Sequence, residues 1–234
     1  MNKEDTLVIL GTAHLGTTPG KCSPDRRLKE AIWSREMCKD LCATLRSYGY
    51  KTEIDYEPLY PSADMKGATI KQEQQYELAA RVNYVNSLCK KHGASNCLYI
   101  SIHVNAAGSD GNWHTAGGFS VYTSKGKTKS DVLAECIYNK APTCLSEYIK
   151  WMDAGKKLGC YDLKQKPFRT DTSDGDKDME ADFYVLRKTN CPAVLVECMF
   201  QDNKSDVDFL LSELGRHTIL RTLFEGIIEY INTK

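Results

Sequence analysis

Two histidines and a glutamate stand where short apolar runs of this chain give out. Leu98-Tyr99-Ile100-Ser101-Ile102 leads into His103, Ala193-Val194-Leu195-Val196 ends on Glu197, and Leu7-Val8-Ile9-Leu10 passes through Gly11-Thr12-Ala13 into His14. Runs of this length, bounded by turn-forming residues, read as buried strands. In open α/β sheets ligands bind beyond the carboxyl ends of parallel strands, so three such exits would bring His, His and Glu to one edge. Those residue types are zinc ligands, and the carboxylate is also a general base.

The elements able to hold these residues follow from hydrophobic spacing. Residues 15–27 contain Gly16, Thr17, Thr18, Pro19, Gly20, Ser23 and Pro24, a loop long enough to shape a site. Asp25 suits an N-cap, and Leu28, Ile32, Trp33, Met37, Leu41 and Leu45 recur at helical spacing as far as Tyr48-Gly49. Glu30 therefore falls in a first turn, where a carboxylate has an ordinary role complementing the helix dipole. Residues 50–54 alternate weakly as a second strand, and a connection with Pro58, Pro61 and Gly67 precedes a helix over residues 72–91. The pattern predicts a further strand over 117–122 and a helix over 130–151 that Pro142 should kink or divide. Residues 158–182 are irregular and acidic; placing Gly175 sixth in a calcium loop puts Thr170 first and Ala181 twelfth, so that pattern fails. Two helices, 205–214 and 216–231, close the chain. The expectation is an α/β fold: a single domain over residues 1–234, with a mostly parallel twisted sheet and helices on both faces.

Composition narrows the function. A chain of 234 residues, 41% hydrophobic, suits one domain with a sizeable core. Lys+Arg and Asp+Glu are both 31, so there is no electrostatic footprint for nucleic acid or an anionic membrane. No apolar run approaches the length of a membrane span, and the first is too short for a signal peptide, so synthesis in a cytoplasm without membrane insertion is expected. Ten cysteines without a C-x-x-C pair predict buried thiols in preference to disulfides or a Cys-type zinc site.

Four fragments, taken together and in order, resemble a known family. They are His14 with the loop Thr18-Pro19-Gly20-Lys21, then Glu30, then Ser101-Ile102-His103-Val104-Asn105, then Pro192-Ala193-Val194-Leu195-Val196-Glu197-Cys198-Met199-Phe200-Gln201-Asp202-Asn203. Over about residues 6 to 230 the chain resembles zinc-dependent N-acetylmuramoyl-L-alanine amidases of the amidase-3 type, with their S-x-H-x-N and P-x-x-L-x-E-x-x-F-x-x-N motifs. The resemblance implies Zn²⁺ held by His14, Glu30 and His103, with Glu197 as the catalytic base. Asn105 would orient His103 or bind substrate; a turn-forming role accounts for it equally well. The implied reaction is hydrolysis of the amide between N-acetylmuramic acid and the L-alanine of peptidoglycan stem peptides. A phage endolysin and a bacterial wall enzyme both fit, either acting on the cell wall, with no separate wall-binding domain expected and the oligomeric state left open. Leu15, Ser34 and Met199 depart from the family pattern, which commonly has glycine, asparagine and glycine there. The same constellation would serve a zinc peptidase or deacetylase. A catalytically silent wall-binding module is disfavoured because ligands and base are all present.

Overall fold

The structure, a computed structural model, describes residues 2–233. Six strands form one sheet: β1 (Leu7–Gly11), β2 (Lys51–Ile54), β3 (Cys97–Asn105), β4 (Ser120–Thr123), β5 (Met179–Glu180) and β6 (Ala193–Phe200). Their order is β2-β1-β3-β6-β4-β5, and every pairing is parallel except β4 against β6. The helices are α1 (Glu30–Ser47), α2 (Ile70–His92), α3 (Lys129–Cys144), α4 (Ser146–Lys157), α5 (Tyr184–Lys188), α6 (Lys204–Leu211) and α7 (Glu213–Asn232). The expected α/β fold with helices on both faces is what the chain adopts.

Strand periodicity decides which side chains reach the site. Val8 and Leu10 of β1, Leu98, Ile100 and Ile102 of β3, and Val194 and Val196 of β6 all join the larger core, with apolar residues of α1, α3 and α7. Their alternate neighbours Leu7, Ile9, Tyr99, Ala193 and Leu195 face the smaller core under α2 and α5. Because successive side chains point to opposite faces, Ser101, His103 and Glu197 share that second face. In register, His103 sits beside Glu197.

Local chemistry accounts for element boundaries that differ from expectation. Asp25 does not cap α1: its Oδ1 accepts from Ser23 Oγ at 2.6 Å and from Arg27 N at 3.1 Å, tying it into a turn. The helix starts at Glu30 instead. Thr69 and Gln72 make a reciprocal capping box that opens α2 at Ile70, two residues earlier than the apolar pattern suggested. Pro142 remains inside α3, and the break between α3 and α4 falls at Leu145. Residues 184–188 form the short helix α5. The acidic stretch stays irregular apart from β5, and one of its carboxylates is not solvated: Asp178 is 2% exposed and accepts from Thr123 Oγ1.

Candidate metal centre

His14 follows β1 by three residues with φ at 42°, in the left-handed region that a non-glycine residue rarely occupies. Polar contacts over-determine that conformation. Ser34 Oγ accepts from Ala13 N at 2.9 Å and donates to Ile102 O at 2.6 Å, linking the His14 loop to β3 through α1. Arg35, 7% exposed, has no carboxylate partner among the described residues; its guanidinium donates to Ala13 O, Ala31 O, Glu57 O and Pro58 O. Ser34, which stands where the family commonly has asparagine, thus ties two strand exits together.

Beneath the loop lies a second buried network. Tyr99 Oη donates to Asp55 Oδ2 at 2.7 Å, while Asp55 Oδ1 accepts from Thr12 N and Arg81 Nη1. A Cβ on Gly11 would stand 2.4 Å from Tyr99 Oη, so only glycine lets the tyrosine cross under β1. Neither arginine stands out in the sequence. Each sits within a helical pattern where a charged residue ordinarily marks a solvated face.

Glu30 enters from the first turn of α1, its N–H donating to Lys21 O at 3.0 Å. Its side chain is 1% exposed and turns inward. Oε1 accepts from Val104 N at 3.1 Å and lies 3.1 Å from His103 Nδ1, while Oε2 lies 3.6 Å from His14 Nε2. The two imidazoles meet edge to face, with centroids 5.1 Å apart and planes at 88°. Ligand atoms bound about 2.1 Å from a tetrahedral zinc are separated by roughly 3.4 Å, so these spacings fit the edges of such a site. The other nitrogen of His103 lies 3.1 Å from Ser101 Oγ, the kind of outer contact that fixes a ligand's tautomer.

Electrostatics agree with the geometry. Burial lowers His14 to about 3 despite the opposing charge of Glu30, so its ring is neutral at pH 7 with a lone pair free to bind. Burial raises Glu30, but His14 and His103 pull it down to about 2, leaving it ionised. A neutral imidazole at His14 and an ionised carboxylate at Glu30 are the protonation states in which such groups bind a divalent cation. Burial, and after it the charge of Glu30, pushes Glu197 well above the ordinary carboxylate range, with Lys21 opposing. Oε2 of Glu30 and Oε2 of Glu197 are both buried without a hydrogen-bond partner, unusual for carboxylates and fitting for oxygens that serve a cation and its water.

The cleft is floored by His14, Ser101, His103 and Glu197, walled on one side by Glu77, Leu78 and Arg81 of α2 and on the other by Phe183, Tyr184 and Val185. Lys21 stands at its edge. Four sequence candidates therefore meet there: His14, Glu30 and His103 within ligand distance, with Glu197 beside them. Asn105 does otherwise: its Oδ1 accepts from the adjacent Ala106 N at 2.8 Å, the turn-forming alternative. Lys21 and the α5 wall were not foreseen. The lysine lay inside the Thr18–Lys21 loop motif without a role, and a five-residue helix carries too little periodicity to read.

The family model for N-acetylmuramoyl-L-alanine amidases matches residues 8–229. A probable cell wall amidase, LytH, of Staphylococcus saprophyticus is 24% identical over 230 residues, 98% of this chain and 60% of that protein. The endolysin of Bacillus phage SPP1 is 29% identical over 161 residues, 68% of this chain and 47% of that protein. The chain thus spans about half to three-fifths of the length of these curated relatives. Among solved structures, the CwlD amidase of Clostridioides difficile, determined in complex with the GerS lipoprotein, superposes with a TM-score of 0.73 at 20% identity, covering 98% of this chain and 100% of that one. With strand order, site geometry and a match over nearly its whole length in agreement, the chain belongs to the N-acetylmuramoyl-L-alanine amidase family.

Proposed function

We propose that this chain is a zinc-dependent hydrolase of the amide joining N-acetylmuramic acid to the L-alanine of peptidoglycan stem peptides, working as a single catalytic domain on the cell wall. The observation that carries the reading is the convergence of His14, Glu30 and His103 within 4.8 Å of one another, beside a buried glutamate of raised pKa. His14 Nε2, His103 Nδ1 and the Glu30 carboxylate are the atoms that would hold Zn²⁺. When bound, zinc polarises the scissile carbonyl and lowers the pKa of water toward about 7.

The chain's own residues do the rest. Ser101 Oγ, 3.1 Å from His103 Nε2, accepts its N–H in the tautomer that leaves the Nδ1 lone pair for the metal. Glu197, which lines the cleft and has an unpartnered Oε2, takes a proton from the attacking water and returns it to the leaving alanine amine. Its raised pKa suits the first half of that transfer, since a strongly acidic group would be a poor base toward the water. Lys21, at the cleft edge, adds a positive charge near the developing oxyanion or a substrate carboxylate. Family membership is the support for the muramoyl amide over other amides. Among the described residues no helix is long and apolar enough to cross a membrane.

The test combines three measurements. Peptidoglycan digestion should yield new L-alanine amino termini and no new reducing sugar ends; amino termini of another residue would make the chain a peptidase, and acetate release a deacetylase. His14→Ala and His103→Ala should lose zinc. Glu197→Gln should keep zinc and lose turnover by about 10²–10⁴; loss of zinc in that variant would move Glu197 into the ligand set.

A further inference from the structure

Three cysteines from distant parts of the chain meet at the end of the sheet opposite the metal centre. Cys89 lies near the end of α2, Cys97 opens β3, and Cys191 precedes β6. Hydrogen bonds around them fix their approach. Asn86, one turn before Cys89, donates through Nδ2 to Lys188 O at 2.9 Å and accepts from Asn190 N at 2.9 Å. Tyr99 N donates to Pro192 O at 2.9 Å. Cys191, between Asn190 and Pro192, is therefore pinned against α2 on one side and the start of β3 on the other. Within that frame Cys89, Cys97 and Cys191 join one buried cluster, with Cys89 close enough to both other thiols for each to act on its titration.

All three belong to the smaller core, and Cys191, at 8%, is the most exposed. It borders a surface groove together with Ala94, Ser95 and Thr189. The two neighbouring thiols pull Cys89 down, while Cys89 itself and burial push its partners up, so Cys89 has the greatest thiolate character of the three. Six residues of extended chain separate Cys191 from Glu197, roughly 20 Å, so the cluster takes no part in the metal centre. Nor is it a second three-ligand site. Among the described residues, His14, Glu30 and His103 are the one such group whose ligand atoms all lie within 4.8 Å of one another. What the arrangement allows is bond formation between a pair of sulfurs.

We propose that Cys89 and Cys191 are a peroxide-sensitive thiol pair that closes into a reversible disulfide, fastening α2 to the segment between α5 and β6. The Cys89 thiolate attacks one oxygen of hydrogen peroxide, forming a sulfenic acid; the other oxygen leaves and takes up a proton to give water. Cys191 sulfur then attacks the Cys89 sulfur, forming the S–S bond and expelling the hydroxyl as a second water. Both thiol protons leave in the two waters, and the two electrons lost by the sulfurs reduce the peroxide. Cys191 is the chosen partner over Cys97 because it faces the groove through which peroxide enters, whereas Cys97 is fully enclosed. The bond joins the feet of the two cleft walls, since α2 carries Glu77, Leu78 and Arg81 and α5 carries Tyr184 and Val185.

The test treats the reduced full chain with a few equivalents of hydrogen peroxide, alkylates the remaining thiols and digests with trypsin without reductant. Mass spectrometry should find the peptide of residues 82–90 linked to that of residues 189–204, with fragment ions placing the bond on Cys191 and leaving Cys198 alkylated. The link should persist in Cys97→Ser and vanish in Cys89→Ser and in Cys191→Ser. A bridge over this length of chain should raise the melting temperature by roughly 10 °C, reversed by dithiothreitol. A Cys89–Cys97 bridge, indiscriminate oxidation of all ten thiols, or a bridge that leaves the melting temperature unchanged would each overturn the proposal.

Discussion

Replacing Arg35 with methionine should loosen the His14 loop while leaving the sheet intact. Burial, then the charge of Arg81, holds the Arg35 guanidinium down to about 10 from 12.5. That drop corresponds to about 3 kcal/mol disfavouring the buried cation, an upper figure because water near the loop screens part of it. Methionine removes this penalty and also four hydrogen bonds, to Ala13 O, Ala31 O, Glu57 O and Pro58 O. Bonds from a charged donor contribute about 1.5–3 kcal/mol each, so their loss outweighs the relieved desolvation and a net destabilisation of at least about 3 kcal/mol is expected. For a chain of this size that is a fall of roughly 10 °C in melting temperature, followed by circular dichroism. Because Ala13 precedes His14, zinc affinity measured by chelator competition should also drop by about 10–100-fold, as for other contacts that orient a ligand. Arg35→Lys, keeping the charge with fewer donors, should fall between the parent and Arg35→Met. A melting temperature within about 2 °C of the parent, with unchanged zinc affinity, would refute the idea that one guanidinium moors the loop.

Ser101→Ala removes the outer partner of His103 and should weaken zinc binding by about 10–100-fold while costing the metal-free chain no more than about 1 kcal/mol of stability; isothermal titration reads the first and thermal melts the second. Met199 sits at φ 61° and is fully buried, so Met199→Gly relieves about 1–2 kcal/mol of backbone strain yet loses about 2–5 kcal/mol of core packing; denaturant titration should find a net loss, and a gain would show that strain dominates. Burial lifts Asp206 to about 7 from 3.8, although Tyr161, Tyr148 and backbone N–H groups pull it down. The folded state then holds the proton more tightly than the unfolded one, so this stabilisation is complete below about pH 4 and lost as pH rises through 7. Melting temperature should fall between about pH 4 and 7, and the slope should flatten in Asp206→Asn.

The strands bearing His103 and Glu197 were legible because a continuous apolar run that stops on a polar residue is what a buried strand emerging at a sheet edge requires. Their common face follows from strand parity alone. Glu30 was legible as a position but not as an orientation. A first-turn carboxylate ordinarily faces solvent, and only the contact with Val104 N and the two histidines turns it inward. Arg35 and Arg81 were invisible for a related reason: beside Ala31 O and Glu77 within their own helices, their partners are Ala13 O, Glu57 O, Pro58 O and Asp55, distant in sequence and encoded by no local spacing. Met199 was noticed as a departure where glycine is common, and the left-handed backbone there accounts for the preference. At this point β6 carries an extra residue against β3, the pairing shifting from His103↔Glu197 to Asn105↔Phe200.

The sheet order also separates two events in the life of the chain. His14, Glu30 and His103 come from β1, α1 and β3, all within the first 105 residues, whereas Glu197 arrives on β6, which must slot between β3 and β4 in the middle of the sheet. Pairings that join segments so far apart form late, because a long loop has to close before the contact gives anything back. On the proposed roles, a chain still emerging or refolding could gather its metal well before it gains the group that moves the proton. Zinc uptake would then time the assembly of the first half, and the appearance of turnover would mark the moment the last central strand goes in.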